Sequence, residues 1–298
     1  MKVLITGATG LIGSELCKFL VNKHKIVALT RNISKAGRVL DSKIEAVDDL
    51  DQVNFNDLDV IINLAGEPIA DKRWSEKQKA RIMDSRIALT EEISNRIHAC
   101  DSPPHTFISG SAIGYYGRQP ATVKVDEDFN DPYPEFSHQL CKDWEAKANL
   151  AHSEQTRVCI VRTGVVLSRQ GGALKKMLPA FQFGMGGPMA SGKQMMSWIH
   201  IDDMVQLLLF LVKHQDLSGV FNATAPAPVS NKEFSERLAL TLRRPAMLTM
   251  PEFVLKALFG EMSELLIYGQ RVLPRRALKA NYRFRYPNLD EALQQLFH

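Results

Sequence analysis

The chain has 298 residues, of which 45% are hydrophobic and 23% are charged, and its formal net charge at pH 7 is +4. This length suits one large α/β unit or two modest domains around a sizeable buried core. The small net charge and the lack of a dense run of Lys and Arg argue against general nucleic-acid binding.

The first half of the sequence alternates short runs rich in β-branched residues with amphipathic helical stretches. Strands separated by helices pair in parallel through right-handed crossovers. The expected fold is therefore α/β, a Rossmann-type doubly wound parallel sheet. The predicted strands are 2–6, 25–30, 58–66, 105–111 and 157–164, and the predicted helices are 11–22, 76–99 and 135–151.

Beyond residue 164 the sequence changes character and is rich in Gly and Met before SWIHIDDMVQLLLFLV, which predicts a short strand followed by a helix. After GVFNATAPAPVS (219–230) the chain turns to helices, with Ser230 or Asn231 as the expected N-cap of the first. The C-terminal part is therefore predicted to form a smaller, mainly helical domain.

A glycine-rich turn directly follows the first predicted strand and opens the first predicted helix. In TGATGLIG the glycines have the spacing GxxGxxG. Such glycines let the backbone approach a pyrophosphate, which then lies on the positive N-terminus of the helix. We therefore predict a dinucleotide cofactor rather than a merely structural turn. The expected contact residues are Gly7, Thr9, Gly10, Leu11, Ile12 and Gly13.

The residues after the second predicted strand indicate which dinucleotide binds. NAD-binding proteins usually place Asp or Glu there, to accept a hydrogen bond from the ribose 2′-hydroxyl. This strand ends in Thr30 and Arg31, and an arginine attracts a 2′-phosphate and binds it through two hydrogen bonds. NADP(H) is therefore favoured over NAD(H), although an ordinary surface role for Arg31 is the alternative.

The strand predicted over 58–66 ends in NLAG, where small residues let the chain pass against the adenosine half of a dinucleotide. Leu64, Ala65 and Gly66 are therefore expected cofactor contacts. Without the glycine turn, core packing would explain Ala65 and Gly66 equally well. We assign 1–165 to an NADP-binding domain that also takes in about 198–225, and 166–298 mainly to substrate binding.

The glycine turn, NLAG, FISGSAIGYYG and SWIHIDD occur in this order. With them the sequence resembles the extended short-chain dehydrogenase/reductase superfamily of NAD(P)-dependent sugar-nucleotide epimerases and dehydratases. More closely, GEPIADKRW, DSRIALT, GQRVLPRRAL and FRYPNLDEAL resemble the atypical branch of epimerase family 39U1-like proteins. The resemblance runs over nearly the whole chain.

In typical members of the superfamily a Tyr exchanges the proton, a Lys four residues later lowers the pKa of that Tyr, and a Ser and an Asn complete the relay. Ser111 matches the serine. Counting back from the expected Glu145 puts Ser137 at the tyrosine and Cys141 at the lysine, and Arg86 stands where the asparagine is expected. The usual mechanism therefore cannot be carried over directly.

Tyr115 and Tyr116 follow Ser111 at the carboxyl end of the strand, so the resemblance makes Ser111, Tyr115 and Tyr116 the catalytic candidates. Packing is the alternative for either tyrosine. Cys141 is a nucleophile only if its thiol pKa is lowered. More simply, it fills the helical face that Ser137, Cys141, Trp144 and Ala148 present toward the cofactor.

Arg86 is expected to project from the long helix toward the dinucleotide, where it would hold the pyrophosphate or a substrate anion. A salt bridge to an acid such as Glu67 is the alternative. His200, between Ile199 and Ile201, is expected to be structural, and Asp202 and Asp203 are expected to cap the following helix.

The segment from 243 to 285 is basic, with nine Lys or Arg residues against three Glu residues. Such an excess facing a cleft would attract a phosphate-bearing substrate, although charged residues more often lie on solvated surfaces. Arg271, Arg275 and Arg276 are the candidate substrate-binding residues because they cluster in the sequence.

The four cysteines lie far apart and form no Cys-x-x-Cys pair, so neither a metal site nor a redox motif is predicted. The glycines that begin at residue 7 come too early for a signal peptide. The apolar stretch 205–212 is far shorter than the about 20 residues of a membrane span. We expect a cytoplasmic protein with reduced thiols and no membrane partner.

Taken together, the leading hypothesis is oxidoreductase or epimerase chemistry on a nucleotide-sugar-like or otherwise phosphate-bearing small molecule, with NADP(H) as the cofactor. The protein is expected to be a monomer or a homodimer without a nucleic-acid partner. The alternative is a non-catalytic NADP(H)-binding redox sensor or regulatory protein, which would account for the missing Tyr/Lys pair.

Overall fold

A computed structural model describes residues 1–246 and 248–298. The strands are β1 (Lys2–Thr6), β2 (Lys25–Leu29), β3 (Glu45–Val47), β4 (Val60–Asn63), β5 (Thr106–Ala112), β6 (Lys124–Val125), β7 (Arg157–Thr163), β8 (Val165–Leu167), β9 (Met195–Met196), β10 (Trp198–His200), β11 (Gly219–Ala223), β12 (Val229–Ser230) and β13 (Arg271–Val272). The helices are α1 (Leu11–Leu20), α2 (Ile33–Val39), α3 (Glu76–His98), α4 (Phe136–Asn149), α5 (Gly172–Gln182), α6 (Ile201–Lys213), α7 (Asn231–Thr241), α8 (Glu252–Phe259), α9 (Glu264–Ile267), α10 (Arg275–Lys279) and α11 (Leu289–Phe297).

Seven strands form one parallel sheet in the order β11-β7-β5-β4-β1-β2-β3. The order reverses between β1 and β4, so a crevice opens there at the carboxyl ends of the strands. Open α/β sheets bind their ligands at such a switch point. The predicted doubly wound α/β fold with a mainly helical C-terminal region is confirmed.

Different helices cover the two faces of the sheet. On one face Ile5 of β1 packs with Leu16 of α1 and Leu208 of α6, and on the other face Leu4 packs with Ile93 of α3. Side chains alternate across a strand, so a strand buried on both faces is apolar throughout. This explains why the predicted strands read as continuous apolar runs rather than as alternating patterns.

Several predicted boundaries differ from the observed ones by one to three residues. The strand predicted over 58–66 ends at Asn63, the first residue of NLAG, and residues 64–66 leave the sheet as a loop. The N-cap of α7 was predicted correctly, since the Ser230 hydroxyl accepts a hydrogen bond from the backbone N–H of Glu233 at 3.1 Å. Among the described residues, no helix combines the length and the apolar character needed to cross a lipid bilayer.

The N-terminus of α6 differs from the prediction. His200 caps it, because its Nδ1 accepts a hydrogen bond from the backbone N–H of Asp202 at 3.1 Å. The buried carboxylate of Asp203 accepts hydrogen bonds from the backbone N–H groups of Arg285 at 2.7 Å and Tyr286 at 2.9 Å. The prediction that the two aspartates cap α6 was therefore wrong, because Asp203 instead binds the C-terminal segment.

We expect Asp203→Ala to lower the free energy of unfolding by about 2–4 kcal/mol, because the buried N–H of Tyr286 and the partly buried N–H of Arg285 lose their acceptor. Denaturant-induced unfolding measures the change. Asp202→Ala is the control, since the Asp202 side chain is 34% exposed. Equal effects of the two substitutions would contradict the proposed link between α6 and the C-terminal segment.

Candidate functional site

The turn after β1 contains two positions that only glycine can occupy. Gly7 has a φ angle of 70°, and a Cβ atom there would lie 2.7 Å from the carbonyl carbon of Leu64. A Cβ atom on Gly13 would lie 2.3 Å from the Gly7 carbonyl oxygen and 2.8 Å from the Cα atom of Ala8. Helix α1 therefore packs against this turn more closely than any side chain would permit.

The N-terminus of α1 is open toward the crevice. Its N-cap, Gly10, provides no side-chain hydrogen bond, and the first turn of the helix contains no acidic residue. Within the described residues, a Cβ atom on Gly10 would have one non-neighbouring atom within 4 Å, the Gly7 carbonyl oxygen at 3.1 Å. Free N–H groups and the positive end of the helix favour an anion at this place. The turn thus fits the pyrophosphate of a dinucleotide.

Buried hydrogen bonds fix the carboxyl ends of β1 and β4 beside this turn. The Thr6 hydroxyl donates to the Asn63 side chain at 2.6 Å and accepts from the N–H groups of Leu64 and Ala65, both at 3.1 Å. The Asn63 amide in turn donates to the Thr90 hydroxyl at 2.7 Å. These bonds hold the predicted contact residues Leu64 and Ala65 in place at the switch point of the sheet.

Arg31 lies at the carboxyl end of β2, on the same edge of the sheet. Its side chain is 85% exposed, and its Nη2 atom lies 3.6 Å from Oε2 of Glu67. The Thr30 hydroxyl accepts a hydrogen bond from the backbone N–H of Asn32 at 3.2 Å, which tightens the turn before α2. An exposed guanidinium with such a distant ion-pair partner is free to bind a phosphate.

Arg86 of α3 packs against Gly66, where a Cβ atom would lie 2.6 Å from the guanidinium carbon. The guanidinium also lies 5.3 Å from the ring of Trp144. Burial lowers the pKa of Arg86, and the charge of Glu67 opposes this change. In the described part of the chain Arg86 forms no ion pair within 4.0 Å, and Glu67 pairs with Arg31 instead.

A buried polar cluster connects β5, α4 and β7. The Ser111 hydroxyl donates to Oε1 of Glu145 at 2.6 Å, and Arg162 binds both carboxylate oxygens of Glu145, each at 2.8 Å. The Arg162 guanidinium lies 3.4 Å from the centroid of the Tyr115 ring. Burial acts to lower the pKa of Arg162, but its hydrogen bonds and charge interaction with Glu145 outweigh burial and raise it.

Ser111 and Tyr115 are among the residues predicted from the sequence, whereas Arg162 is not, and Glu145 was expected only from the resemblance. Ser111 and Arg162 are partners in the pairing of β5 with β7, which places both side chains at the same end of the sheet. One signal was present in the sequence, because Arg162 is a charged residue near the end of the apolar strand RVCIVRT. A charge in a buried strand needs a partner.

The two candidate tyrosines lie in different environments. Tyr116 is fully buried, its hydroxyl donates to the Asn222 side chain at 2.7 Å, and burial raises its pKa to about 12. Tyr115 is only partly buried, although its ring packs edge-on against that of Tyr116. Of the two predicted tyrosines, Tyr115 is therefore better placed to meet a substrate, and Tyr116 is suited to a structural role.

The positions matched to the Tyr/Lys pair lie on the buried face of α4. The Ser137 hydroxyl donates to the Glu135 carboxylate at 2.6 Å. Cys141 is 2% exposed, and burial raises its pKa to about 11. A thiol with a raised pKa is a poor nucleophile at neutral pH. Trp144 and Ala148 are buried on the same face of α4, so the predicted grouping of the four side chains is confirmed. That this face is turned toward the cofactor stays a prediction.

The three C-terminal arginines that cluster in the sequence have different partners in space. Arg275 pairs with Asp126 at 3.1 Å, and Arg276 pairs with Asp128 at 2.8 Å. Arg271 is partly buried, and its Nε atom is buried without a hydrogen-bond partner among the described residues. Among the described residues, Arg271 thus differs from Arg275 and Arg276 in forming no ion pair with a carboxylate.

Two family models match the chain. Residues 3–223 match the NAD dependent epimerase/dehydratase family, and residues 250–296 match a domain of unknown function, DUF1731. Among curated proteins, the Arabidopsis thaliana "Epimerase family protein SDR39U1 homolog, chloroplastic" is 38% identical over 305 residues, which cover 99% of this chain and 86% of that protein. The Mus musculus epimerase family protein SDR39U1 is 37% identical and covers 99% of both chains.

Solved structures give the same result. The crystal structure of human epimerase family protein SDR39U1 (isoform 2) with NADPH matches with a TM-score of 0.91 and 33% identity, covering 99% of both chains. The UDP-glucuronic acid 4-epimerase of Bacillus cereus, in complex with UDP-glucuronic acid and NAD, matches with a TM-score of 0.77 and 18% identity, covering 100% of this chain and 98% of that one. At this identity the second likeness concerns the fold alone.

Proposed function

The chain belongs to the NAD dependent epimerase/dehydratase family and, within it, to the SDR39U1-like epimerase family proteins. From this membership we propose that it is an NADP(H)-dependent oxidoreductase or epimerase, acting on a nucleotide-sugar-like or otherwise phosphate-bearing small molecule. The observation that carries the proposal is the exposed Arg31 guanidinium beside the open glycine turn at the switch point of the sheet.

The residues of the crevice would hold NADP(H) in two places. The backbone of 7–13 receives the pyrophosphate, and Arg31 binds the 2′-phosphate. The loop at 64–66 lies against the adenosine half, and the partly buried Arg86 holds the pyrophosphate or a substrate anion. When bound, the cofactor accepts or donates a hydride at its nicotinamide ring. The NADPH complex of the 33% identical human relative supports this choice of cofactor.

The substrate would bind beside Ser111 and Tyr115 at the carboxyl end of β5. We propose that Ser137 and Cys141 stand where the family's Tyr/Lys pair is expected, and that Tyr115 exchanges the proton with the substrate. The partial exposure of Tyr115 supports this assignment, because a proton carrier has to reach the ligand. Ser111 orients the substrate oxygen.

Arg271 is the residue that we propose to bind the phosphate of the substrate. Its buried, unpartnered Nε atom and its lack of an ion pair among the described residues leave it available for an anion. Arg275 and Arg276 neutralise Asp126 and Asp128 and contribute less. The four free cysteines favour a reducing compartment, and we propose the cytoplasm.

The alternative function is a non-catalytic NADP(H)-binding sensor. It is favoured by Cys141, whose raised pKa and burial suit packing rather than chemistry. The two functions are separated by the absorbance at 340 nm of purified protein incubated with NADPH or NADP⁺ and a broad panel of nucleotide sugars, alcohols and carbonyl compounds. Turnover of any member supports the enzyme, whereas tight NADPH binding without turnover supports the sensor.

We expect Arg31→Asp to weaken NADPH binding about 10- to 100-fold, which is the loss of a charge-assisted hydrogen bond to the 2′-phosphate. NADH binding should change much less, because NADH has a hydroxyl in place of this phosphate. Equilibrium titration of cofactor fluorescence gives both dissociation constants. Arg38→Asp, on the exposed surface of α2, is the matched charge control. Equal weakening of NADPH and NADH would contradict the assignment.

A further inference from the structure

The direction of the hydrogen bond between Ser111 and Glu145 is fixed by Arg162. A carboxylate that accepts two hydrogen bonds from one guanidinium is ionised, and an ionised carboxylate can only accept. The short Ser111–Glu145 contact of 2.6 Å therefore uses the single proton of the serine hydroxyl. Ser111 retains only its lone pairs for a further partner.

The stability of the fold does not by itself explain a buried ion pair at this position. Glu145 and Arg162 are 7% and 4% exposed. Replacing such a pair by apolar residues of similar volume is often neutral or stabilising, because removing two charges from water is costly. The pair lies at the carboxyl edge of the sheet, beside both Ser111 and Tyr115, and this placement indicates a role in the site.

Arg162 also fixes the ring of Tyr115. The guanidinium covers the ring at 3.4 Å from its centroid, and the rings of Tyr116 and His138 pack edge-on against it at 5.6 Å and 5.4 Å. The Nδ1 atom of His138 also contacts the backbone carbonyl of Tyr115. These contacts fix the orientation of the Tyr115 ring. A fixed orientation is what a side chain needs if it is to contact a substrate in one geometry.

We propose that Glu145 and Arg162 are positioning residues. Glu145 accepts the hydrogen bond that Ser111 donates, so that Ser111 can only accept a hydrogen bond from the substrate, and Arg162 fixes the orientation of the Tyr115 ring. The site then recognises a hydroxyl-bearing substrate. This inference rests on the proposed function and adds to it two residues that set which form of the substrate Ser111 binds, the alcohol rather than the ketone. A hydroxyl donates its proton to the free lone pair of Ser111. A carbonyl oxygen offers no proton, and Ser111 has none to give it.

The experiment compares kcat, KM and the NADPH dissociation constant of five variants with those of the wild type: Glu145→Gln, Arg162→Lys, Ser111→Ala, the double variant Glu145→Met/Arg162→Met, and the control Arg157→Lys. The substrates are UDP-glucose, UDP-glucuronic acid and a panel of secondary alcohols with NADP⁺. Arg157 is on the same strand as Arg162 but at its other end, where its Nε donates to Thr106 at 3.0 Å. Arg157→Lys therefore shows what the same substitution does to an arginine outside the proposed site.

The double variant should fold and bind NADPH within about twofold of the wild type, yet its kcat should fall about 100-fold through loss of alignment. Arg162→Lys should retain more kcat than the double variant, because it keeps the charge. For an alcohol that is turned over, the ketone product should bind about 2- to 10-fold more weakly than the alcohol, and Ser111→Ala should remove this difference.

The possible failures are distinguishable. If the wild type turns over no member of the panel, both the proposed function and this inference are contradicted. If the wild type is active and the folded double variant keeps its kcat, only the inference falls, and the ion pair is structural. A ketone that binds as tightly as its alcohol overturns the acceptor role of Ser111 alone.

Discussion

Gly13→Val is expected to weaken NADPH binding by at least about 100-fold, the largest effect that a single substitution in the cofactor site should have. The Cβ atom would lie 2.3 Å from the Gly7 carbonyl oxygen and 2.8 Å from the Cα atom of Ala8. Both are backbone atoms that cannot rotate away. Helix α1 would have to move off the turn, and the N–H groups that receive the pyrophosphate would move with it. Cofactor fluorescence titration measures the loss.

Gly37→Ala is the matched control for Gly13→Val. Gly37 lies within α2, and a Cβ atom there would meet no atom of the described residues within 4 Å. Alanine should leave NADPH binding unchanged and stabilise the helix by about 0.5–1 kcal/mol. A Gly13→Val protein that unfolds cooperatively and binds NADPH as the wild type does would contradict the close-packed turn.

The structural features beside the crevice that were predicted correctly are those set by local sequence, whereas the binding roles of their residues stay predictions. The glycine turn, the strand before it and the position of Arg31 lie within the first 31 residues and depend on short-range geometry. A continuous apolar run bounded by glycines is sufficient to predict a buried strand and the turn after it. The Ser230 cap was equally local, because its hydrogen bond reaches only three residues along the chain.

The parts that could not be predicted depend on contacts between distant segments. Arg275 and Arg276 follow Arg271 closely in the sequence, but their partners Asp126 and Asp128 lie in a loop about 150 residues earlier. Sequence clustering therefore overstated the free positive charge near Arg271. Likewise, no local pattern distinguishes Tyr115 from Tyr116, because the burial of Tyr116 depends on Asn222 in β11.

The cap of α6 shows a different limit. Aspartates in the first turn of a helix suit its positive end, and this made a capping role for Asp202 and Asp203 reasonable. The C-terminal segment supplies two backbone N–H groups that bind Asp203 more specifically. A tertiary contact of Asp203 thus outweighs the local preference of aspartate for a helix N-terminus, and the side chain of His200 caps α6.

Glu145→Gln is expected to lower the free energy of unfolding by about 3–5 kcal/mol, because the buried Arg162 charge loses its counter-ion. The amide presents one oxygen to two guanidinium donors that now bind two carboxylate oxygens at 2.8 Å each. Its NH₂ group faces a guanidinium N–H in either orientation, and in one orientation it also faces the Ser111 hydroxyl. Urea-induced unfolding of the NADPH-free protein, followed by far-UV circular dichroism, measures the change.

The double variant Glu145→Met/Arg162→Met tests whether this loss arises from the charge. Removing both charges removes the uncompensated ion, so the free energy of unfolding of the double variant should lie within about 1–2 kcal/mol of the wild type and well above that of Glu145→Gln. A double variant as unstable as Glu145→Gln would mean that the loss arises from packing around α4 and β7 rather than from the charge. If the double variant regains stability but not kcat, the Glu145–Arg162 pair contributes to catalysis by aligning Ser111 and Tyr115.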